Sequence, residues 1–298
     1  MVSNIVANTK ARKSMIGHAQ QRRNWMRKLR RFLSHAVVIL FCGIFIVPFV
    51  WMLLTSFKSQ QEIYANPPTI FPKEFYWHNY VDVFTKIPYM KYVGNTLIIS
   101  LSAVLGQIIS STMVAYSMSK IEWFGKKYFF PLIIGTMMIP YQVTMIPLYM
   151  IFKNLEFTGT YWPLILPNFF GSAYYIFLLR QFFITIPNSL IESATIDGAS
   201  DARVYFQIMI PLCKPAITTV AIFTFMGNWS DFMGPLLYLN KAEMYTISIG
   251  LQAFVQTHYI EWGLLLAASA IFTVPIIILF FMAQRYFIEG ITITGIKG

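Results

Sequence analysis

Charge is what this chain has least of. Only 12% of its 298 residues are Asp, Glu, Lys or Arg, about half of the roughly 25% usual in soluble domains. That composition excludes an ordinary soluble globule. Cysteine is nearly missing as well. Cys42 and Cys213 fall in an apolar stretch and at the inner mouth of another, in lipid or on the reducing side, which argues against a disulfide. The four histidines (His18, His35, His78, His258) show no ligand spacing, so no metal site is expected. No GxxxxGK[ST] phosphate loop occurs, so the chain is not expected to hydrolyse ATP by itself. HExxH is absent and no His or acid pair sits at helical spacing within an apolar stretch, so no catalytic residue is assigned. Internal repeats and low-complexity segments are also lacking.

What remains is grease, and it is clustered. Hydrophobic residues make up 56% of the chain, and the mean hydropathy is +0.57. A spanning helix needs about 20 mostly apolar residues. Six such stretches occur, at 33–56, 93–117, 129–150, 162–182, 215–239 and 263–284. Pro163, Pro167 and Gly171 interrupt the fourth, and backbone breaks are tolerated where neighbours or water satisfy the freed groups. The first stretch is too long for a signal h-region, and no small-residue cleavage pattern follows it. The fold class is therefore an all-α integral membrane protein with six transmembrane helices.

The formal charge of +11 suggests nucleic acid until its distribution is examined. Lys10, Arg12, Lys13, Arg22, Arg23, Arg27, Lys28, Arg30 and Arg31 all precede the first span, with no acid among them. That is the positive-inside pattern. It puts both termini in the cytoplasm and leaves no nucleic-acid partner to expect. Lys120, Lys126 and Lys127 then fall on the inside, as do Arg180, Arg203 and Lys214. Residues 1–32 form a basic cytoplasmic segment, and 33–298 form the membrane domain. Residues 22–31, with Trp25 and Met26 among the bases, either lie on the anionic inner surface or remain a solvated tail.

One polar interruption stands out in the C-terminal half, a cytoplasmic loop at about 186–214. Ser189 with Glu192 three places on has the form of a capping box, predicting a helix from near Leu190. Gly198 is a natural helix stop. Ser200 and Asp201 offer the next N-cap, and a second short helix runs to Pro211, which ends it. Leu190, Ile191 and Ala194 give the first helix an apolar stripe, while Ala194, Gly198 and Ala199 permit close approach. Two readings of this hairpin stand: a handle for helix-in-groove docking, or a loop packed only against its own bundle.

The residue pattern bears on that choice. Glu192-Ser193-Ala194, two residues, Asp197-Gly198-Ala199, eight residues, then Ile208-Met209-Ile210-Pro211 resembles the EAA loop of ABC importer permeases. Ser193 replaces an alanine and Ile210 a leucine of that pattern. Residues from about 95 to 298 are similar to the carbohydrate-importer subfamily that includes the maltose-type second permease. The matching segments are MMIPYQVTMIPLYM (137–150), FLLRQFFITIPNSLIESATIDGAS (177–200), FTFMGNWSDFMGPLLYL (223–239) and GITITGIKG (290–298), with HNYVDVF (78–84) as a weaker one. The resemblance implies a type I importer bundle in the bacterial cytoplasmic membrane. It implies that Glu192, Ser193, Ala194, Asp197, Gly198, Ala199, Ile208 and Pro211 couple to an ATPase. The implied partners are a second homologous permease, a cytoplasmic ATPase dimer and an extracytoplasmic sugar-binding protein, besides the lipid bilayer. ATP and Mg would belong to the ATPase, leaving no cofactor in this chain. The tail 290–298 either reaches the ATPase or is a frayed end.

Other residues are candidates for a pathway. Asn228, Trp229 and Asp231 lie in the fifth stretch, and an ionisable residue within a span is costly and functional by default. Trp229 offers a sugar-stacking face and Asn228 and Asp231 offer hydrogen bonds. The alternative is an interfacial aromatic with a carboxylate that reaches water or caps a neighbouring helix. Tyr141 and Gln142 lie beside Pro140 and Pro147 in a broken third stretch, which either lines a cavity or is a packing kink. Arg180 reads as an interface anchor that snorkels. The resemblance implies that the outer segment 240–262 faces the binding protein; the alternative is a plain connector. Alternative functions are a permease for another ABC importer substrate class, or a self-contained secondary transporter. The latter would want paired intramembrane carboxylates or inverted repeats. An intramembrane enzyme lacks the residues.

Overall fold

The structure, a computed structural model, describes residues 2–255 and 259–295, with side chains for 25–255 and 259–284. His258 and residues 296–298 of the tail lie outside the described residues, as do the side chains of Lys10, Arg12, Lys13, His18, Arg22 and Arg23. The principal helices are α1 (Val2–Ser56), α2 (His78–Lys86), α3 (Tyr89–Lys120), α4 (Lys126–Thr136), α5 (Tyr141–Asn154), α6 (Ala173–Thr185), α7 (Asn188–Ile196), α8 (Lys214–Trp229), α9 (Met233–Tyr238) and α10 (Trp262–Gly295). Four stretches are long and apolar enough to cross a membrane, at Trp25–Ser56, Tyr89–Lys120, Trp162–Thr185 and Trp262–Gln284. Two bent pairs complete six passes. α1 is unbroken through the basic segment, so its backbone does not turn to lie along the membrane surface. Residues 25–51 of α1 are exposed throughout, a face left for lipid or another subunit.

Two spans are bent, the third at the break expected beside Pro140 and the fifth against expectation. The third bends by 100° between α4 and α5. Pro140 takes an extended backbone (φ −60°, ψ 140°) and opens α5, and a proline has no N–H with which to continue the helix before it. With 11 and 14 residues, neither half reaches across the ~30 Å hydrocarbon core at about 1.5 Å per residue. The fifth was expected as one helix over 215–239. Instead α8 stops at Trp229, and it meets the preceding segment Asp201–Leu212 at 78°.

α3 is the hub, packed by α6, α8 and the 3-10 turn Leu166–Phe170. Gly106 makes room for that turn: a Cβ there would lie about 2.5 Å from the Phe169 ring. Small residues let membrane helices close on one another where no hydrophobic driving force exists between them. Three buried clusters follow. One sits at the end of the bundle that carries α7, around Leu179, Phe183, Val204, Met209 and Val220. The second sits at the opposite end, around Val83, Tyr89, Ile247 and Phe254. The third joins Ile99, Phe152, Leu164 and Tyr238.

The segment 240–262 is neither a plain polar connector nor wholly a surface. Ile247 and Phe254 are buried at 0% and 1% exposure. Asn95 Nδ2 donates to the carbonyls of Glu243 and Tyr245 at 2.9 Å each, and the Ile247 amide donates to Thr96 Oγ1 at 2.9 Å. Aromatic and β-branched side chains in that segment serve the core, a use that its overall polarity conceals.

Candidate functional site

The loop after α6 is built around α7. The helix opens at Asn188 with Pro187 as its cap residue, and no side chain caps it. The expected Ser189–Glu192 box is not formed, because Ser189 already lies inside the helix. Pro187 presets the entry backbone (φ −59°, ψ 134°), and its carbonyl accepts from the Leu190 amide at 3.3 Å. The exit is a Schellman arrangement. The Ala199 amide donates to Ala194 O at 2.9 Å and the Gly198 amide to Thr195 O at 3.0 Å. Gly198 takes φ +82°, the left-handed region that glycine enters without penalty. Ser200 then caps the next helix, its Oγ accepting from the Arg203 amide at 3.4 Å. That helix continues through a π-turn at Tyr205–Met209 into Ile210–Leu212. Pro211 therefore lies within the last turn and does not end the helix before it. The π-turn shifts the bonding register just ahead of the proline, which has no N–H to offer.

The two faces of α7 do different work. Ile191, Ala194 and Ala199 pack on the bundle's own cluster with Ile208, against Phe183, Tyr205 and Met209. The stripe expected to meet another protein is thus partly spent inside. The outward face carries Leu190 at 45% exposure and Ile196 at 86%, with Glu192, Ser193 and Asp197 exposed beside them. Neither carboxylate forms an ion pair among the described residues. Pro211 is exposed too.

Basic residues fasten this loop to the hub. Lys120, the last residue of α3, donates from Nζ to Ile186 O at 2.6 Å and to Asn188 Oδ1 at 2.8 Å. Arg180 donates from Nε to Met118 O at 2.9 Å, and its guanidinium stacks 4.0 Å from the Phe130 ring centroid. It is therefore no snorkelling anchor but a tie among α3, α4 and α6. The last carbonyls of a helix lack intrahelical donors and attract cations. Sequence reasoning spent Lys120 and Arg180 on topology and missed this clamp. A lysine ending one span, with Pro-Asn opening the loop helix, was the signal available.

The pathway candidates separate. Trp229 is 1% exposed, lies between Phe225 and Phe272 at 5.5 and 5.7 Å between ring centroids, and donates from Nε1 to Phe272 O at 3.1 Å. Buried and stacked on two phenylalanine rings, it has the surroundings of a packing residue and presents no open face as a sugar platform would. Asn228 Nδ2 donates back to Thr224 O at 2.9 Å, within its own helix. Asp231 Oδ1 accepts from the Gly234 amide at 3.1 Å, capping α9. The Asp231 carbonyl accepts from Ser248 Oγ at 2.5 Å. Tyr141 and Gln142 are exposed at the bend of the third span, and Tyr141 is near enough to Asp231 to interact electrostatically. Tyr141 and Asp231 thus lie near each other, with Gln142 the next residue in the chain after Tyr141.

Residues 107–293 match the family described as binding-protein-dependent transport system inner membrane component. The chain belongs to that family. The permease is 33% identical over 278 residues to the arabinooligosaccharides transport system permease protein of Halalkalibacterium halodurans, covering 91% of this chain and 99% of that one. It is 32% identical to the diacetylchitobiose uptake system permease protein of Streptomyces coelicolor, covering 86% of each. Among solved structures, a chain from a bacterial ABC transporter involved in import of the acidic polysaccharide alginate superposes with a TM-score of 0.77. That pair shares 21% identity over 87% of this chain and 97% of the other, a likeness of fold. The permease is accordingly a multi-pass component of an ABC transporter in the cytoplasmic membrane.

Proposed function

We propose that the permease is one of two related membrane subunits of an ATP-driven importer of oligosaccharides or multiple sugars. It couples to a cytoplasmic ATPase dimer through α7 and the Gly198 turn, and receives substrate from an extracytoplasmic binding protein. The reading rests chiefly on one observation: α7 is fixed firmly on its inner side while its outer side keeps an exposed Ile196 and two carboxylates with no ion pair among the described residues. Such a face suits a groove on a partner carrying basic and apolar groups. The names of relatives that handle arabinooligosaccharides and diacetylchitobiose support the carbohydrate class.

The mechanism is mechanical. ATP and Mg bind in the partner, and closure of the ATPase dimer displaces α7. The displacement passes through the Lys120 clamp to α3, and through Phe183, Tyr205 and Met209 to α6 and α8. The bundle then rocks between inward- and outward-open states. The bent third and fifth spans give it points at which helices can re-angle without breaking a long hydrogen-bond ladder. Tyr141, Gln142 and Asp231 are the residues we assign to the pathway wall.

Mild-detergent purification of the tagged permease from its native membranes tests this reading. An ATPase subunit, a second permease and a sugar-binding protein are expected to co-purify. Recovery of the chain alone, still active in uptake, would overturn it in favour of a self-contained transporter.

A further inference from the structure

At the end of the bundle opposite α7, a cavity of about 410 Å³ opens between the ends of α1 and α10. Trp51 and Thr55, one turn apart on α1, form one wall with Lys58, which lies just past the helix end. Trp262 and Leu266, one turn apart at the start of α10, form the other. The segment after α1 roofs it with Glu62, Tyr64 and Thr69.

Lys58 is the anomaly here. It is 3% exposed, yet among the described residues its ammonium donates only to Thr69 O and sits 5.4 Å from the centroid of the Trp51 ring. No carboxylate lies within ion-pair distance of it among the described residues. A buried ammonium has three donors and is costly to leave without a counter-charge. Beside it the Thr55 hydroxyl, in a residue 6% exposed, has no hydrogen-bond partner among the described residues. The other charge lining the cavity is Glu62. It is turned to the rim, where Oε1 accepts from Thr69 Oγ1 and from the Lys73 amide at 2.9 Å each. One buried cation and one rim carboxylate thus face a mostly apolar slot between two spanning helices. Tryptophans at 48% and 37% exposure flank it, as at membrane–water interfaces.

We propose that this cavity binds one zwitterionic, amine-bearing phospholipid. The phosphodiester meets Lys58 and the headgroup ammonium meets Glu62, with Tyr64 beside it. The acyl chains leave along Trp51 and Leu266 into the bilayer. The cation and carboxylate of the site complement the phosphodiester and ammonium of that headgroup, whereas phosphatidylglycerol has no ammonium and would offer Glu62 only neutral hydroxyls. The proposal is independent of the substrate and ATPase assignments above.

The test is native mass spectrometry of the purified transporter after delipidation and titration with phosphatidylethanolamine or phosphatidylglycerol. The wild type is expected to hold one phosphatidylethanolamine in preference to phosphatidylglycerol. Lys58→Met should weaken it about tenfold to a hundredfold, the worth of a hydrogen bond to a charged group. Lys58→Arg should retain it. Glu62→Gln, at the rim, should keep the protein folded and erase the preference between the two lipids. Equal retention by wild type and Lys58→Met overturns the proposal, as does a wild type indifferent to headgroup. Glycerophosphoethanolamine binding as tightly as the intact lipid would also overturn it, since the site would then serve a soluble phosphodiester.

Discussion

Gly198 offers a sharp test of the coupling loop, because its surroundings separate two explanations. Its φ is +82°, and a Cβ built there would meet nothing within 4 Å. Any cost of substitution within the permease is therefore conformational, not steric. An L-residue in the left-handed region costs roughly 1–2 kcal/mol, more for a β-branched one. That lowers the population of the native turn by a factor of about 5–30. Asparagine tolerates this conformation better than alanine although it is larger. The expected order of function is therefore glycine, asparagine, alanine, valine. If the partner's groove simply lacked room, the order would follow size and alanine would exceed asparagine. The assay is the amount of ATPase recovered per permease in mild detergent, with permease abundance in the membrane as control. Valine should leave abundance near normal and abolish recovery. An alanine variant that outperforms asparagine refutes the backbone argument, and near-normal recovery with valine refutes the docking role itself.

Other expectations concern the framework. Lys120→Met removes two donations to Ile186 O and Asn188 Oδ1. It should raise ATP hydrolysed per substrate moved, because α7 would shift without carrying α3, and Lys120→Arg should restore part of the coupling. Trp229→Ala should cost about 3–5 kcal/mol of stability, seen as a lower midpoint in detergent thermal unfolding. A changed sugar affinity with unchanged midpoint would return Trp229 to the pathway. Tyr141→Ala, on an exposed side chain, should leave that midpoint unchanged while lowering uptake. Gly106→Leu should prevent the Phe169 turn from closing on α3 and sharply reduce membrane yield.

Much of this molecule was legible from hydropathy and spacing. The six passes, the breaks at Pro140 and Gly171, the Gly198 stop and the Ser200 cap each follow from local rules about apolar length, missing N–H groups and positive φ. The loop pattern from Glu192 to Pro211 was equally visible, since its residues are close in sequence. Where reasoning failed, a neighbour from elsewhere in the chain had intervened. Ser189 does not cap α7, because Pro187 and the distant Lys120 set its start. The 240–262 segment is drawn inward by Asn95 and Thr96 of α3.

The sequence alone therefore determined that this is a membrane protein of six passes with a structured loop between the fourth and fifth. Those properties depend on the solvent that each stretch prefers and on dihedral limits within a few residues. Only the tertiary structure decided which polar groups are free to act. It enclosed Trp229, turned Asp231 to a helix cap, made Arg180 a tie and left Lys58 buried beside an open cavity. A charge or an aromatic ring in apolar surroundings has to find a partner. Partners 40 to 70 residues away, such as Phe272 for Trp229 and Met118 for Arg180, are chosen by how helices cross, which no local pattern records.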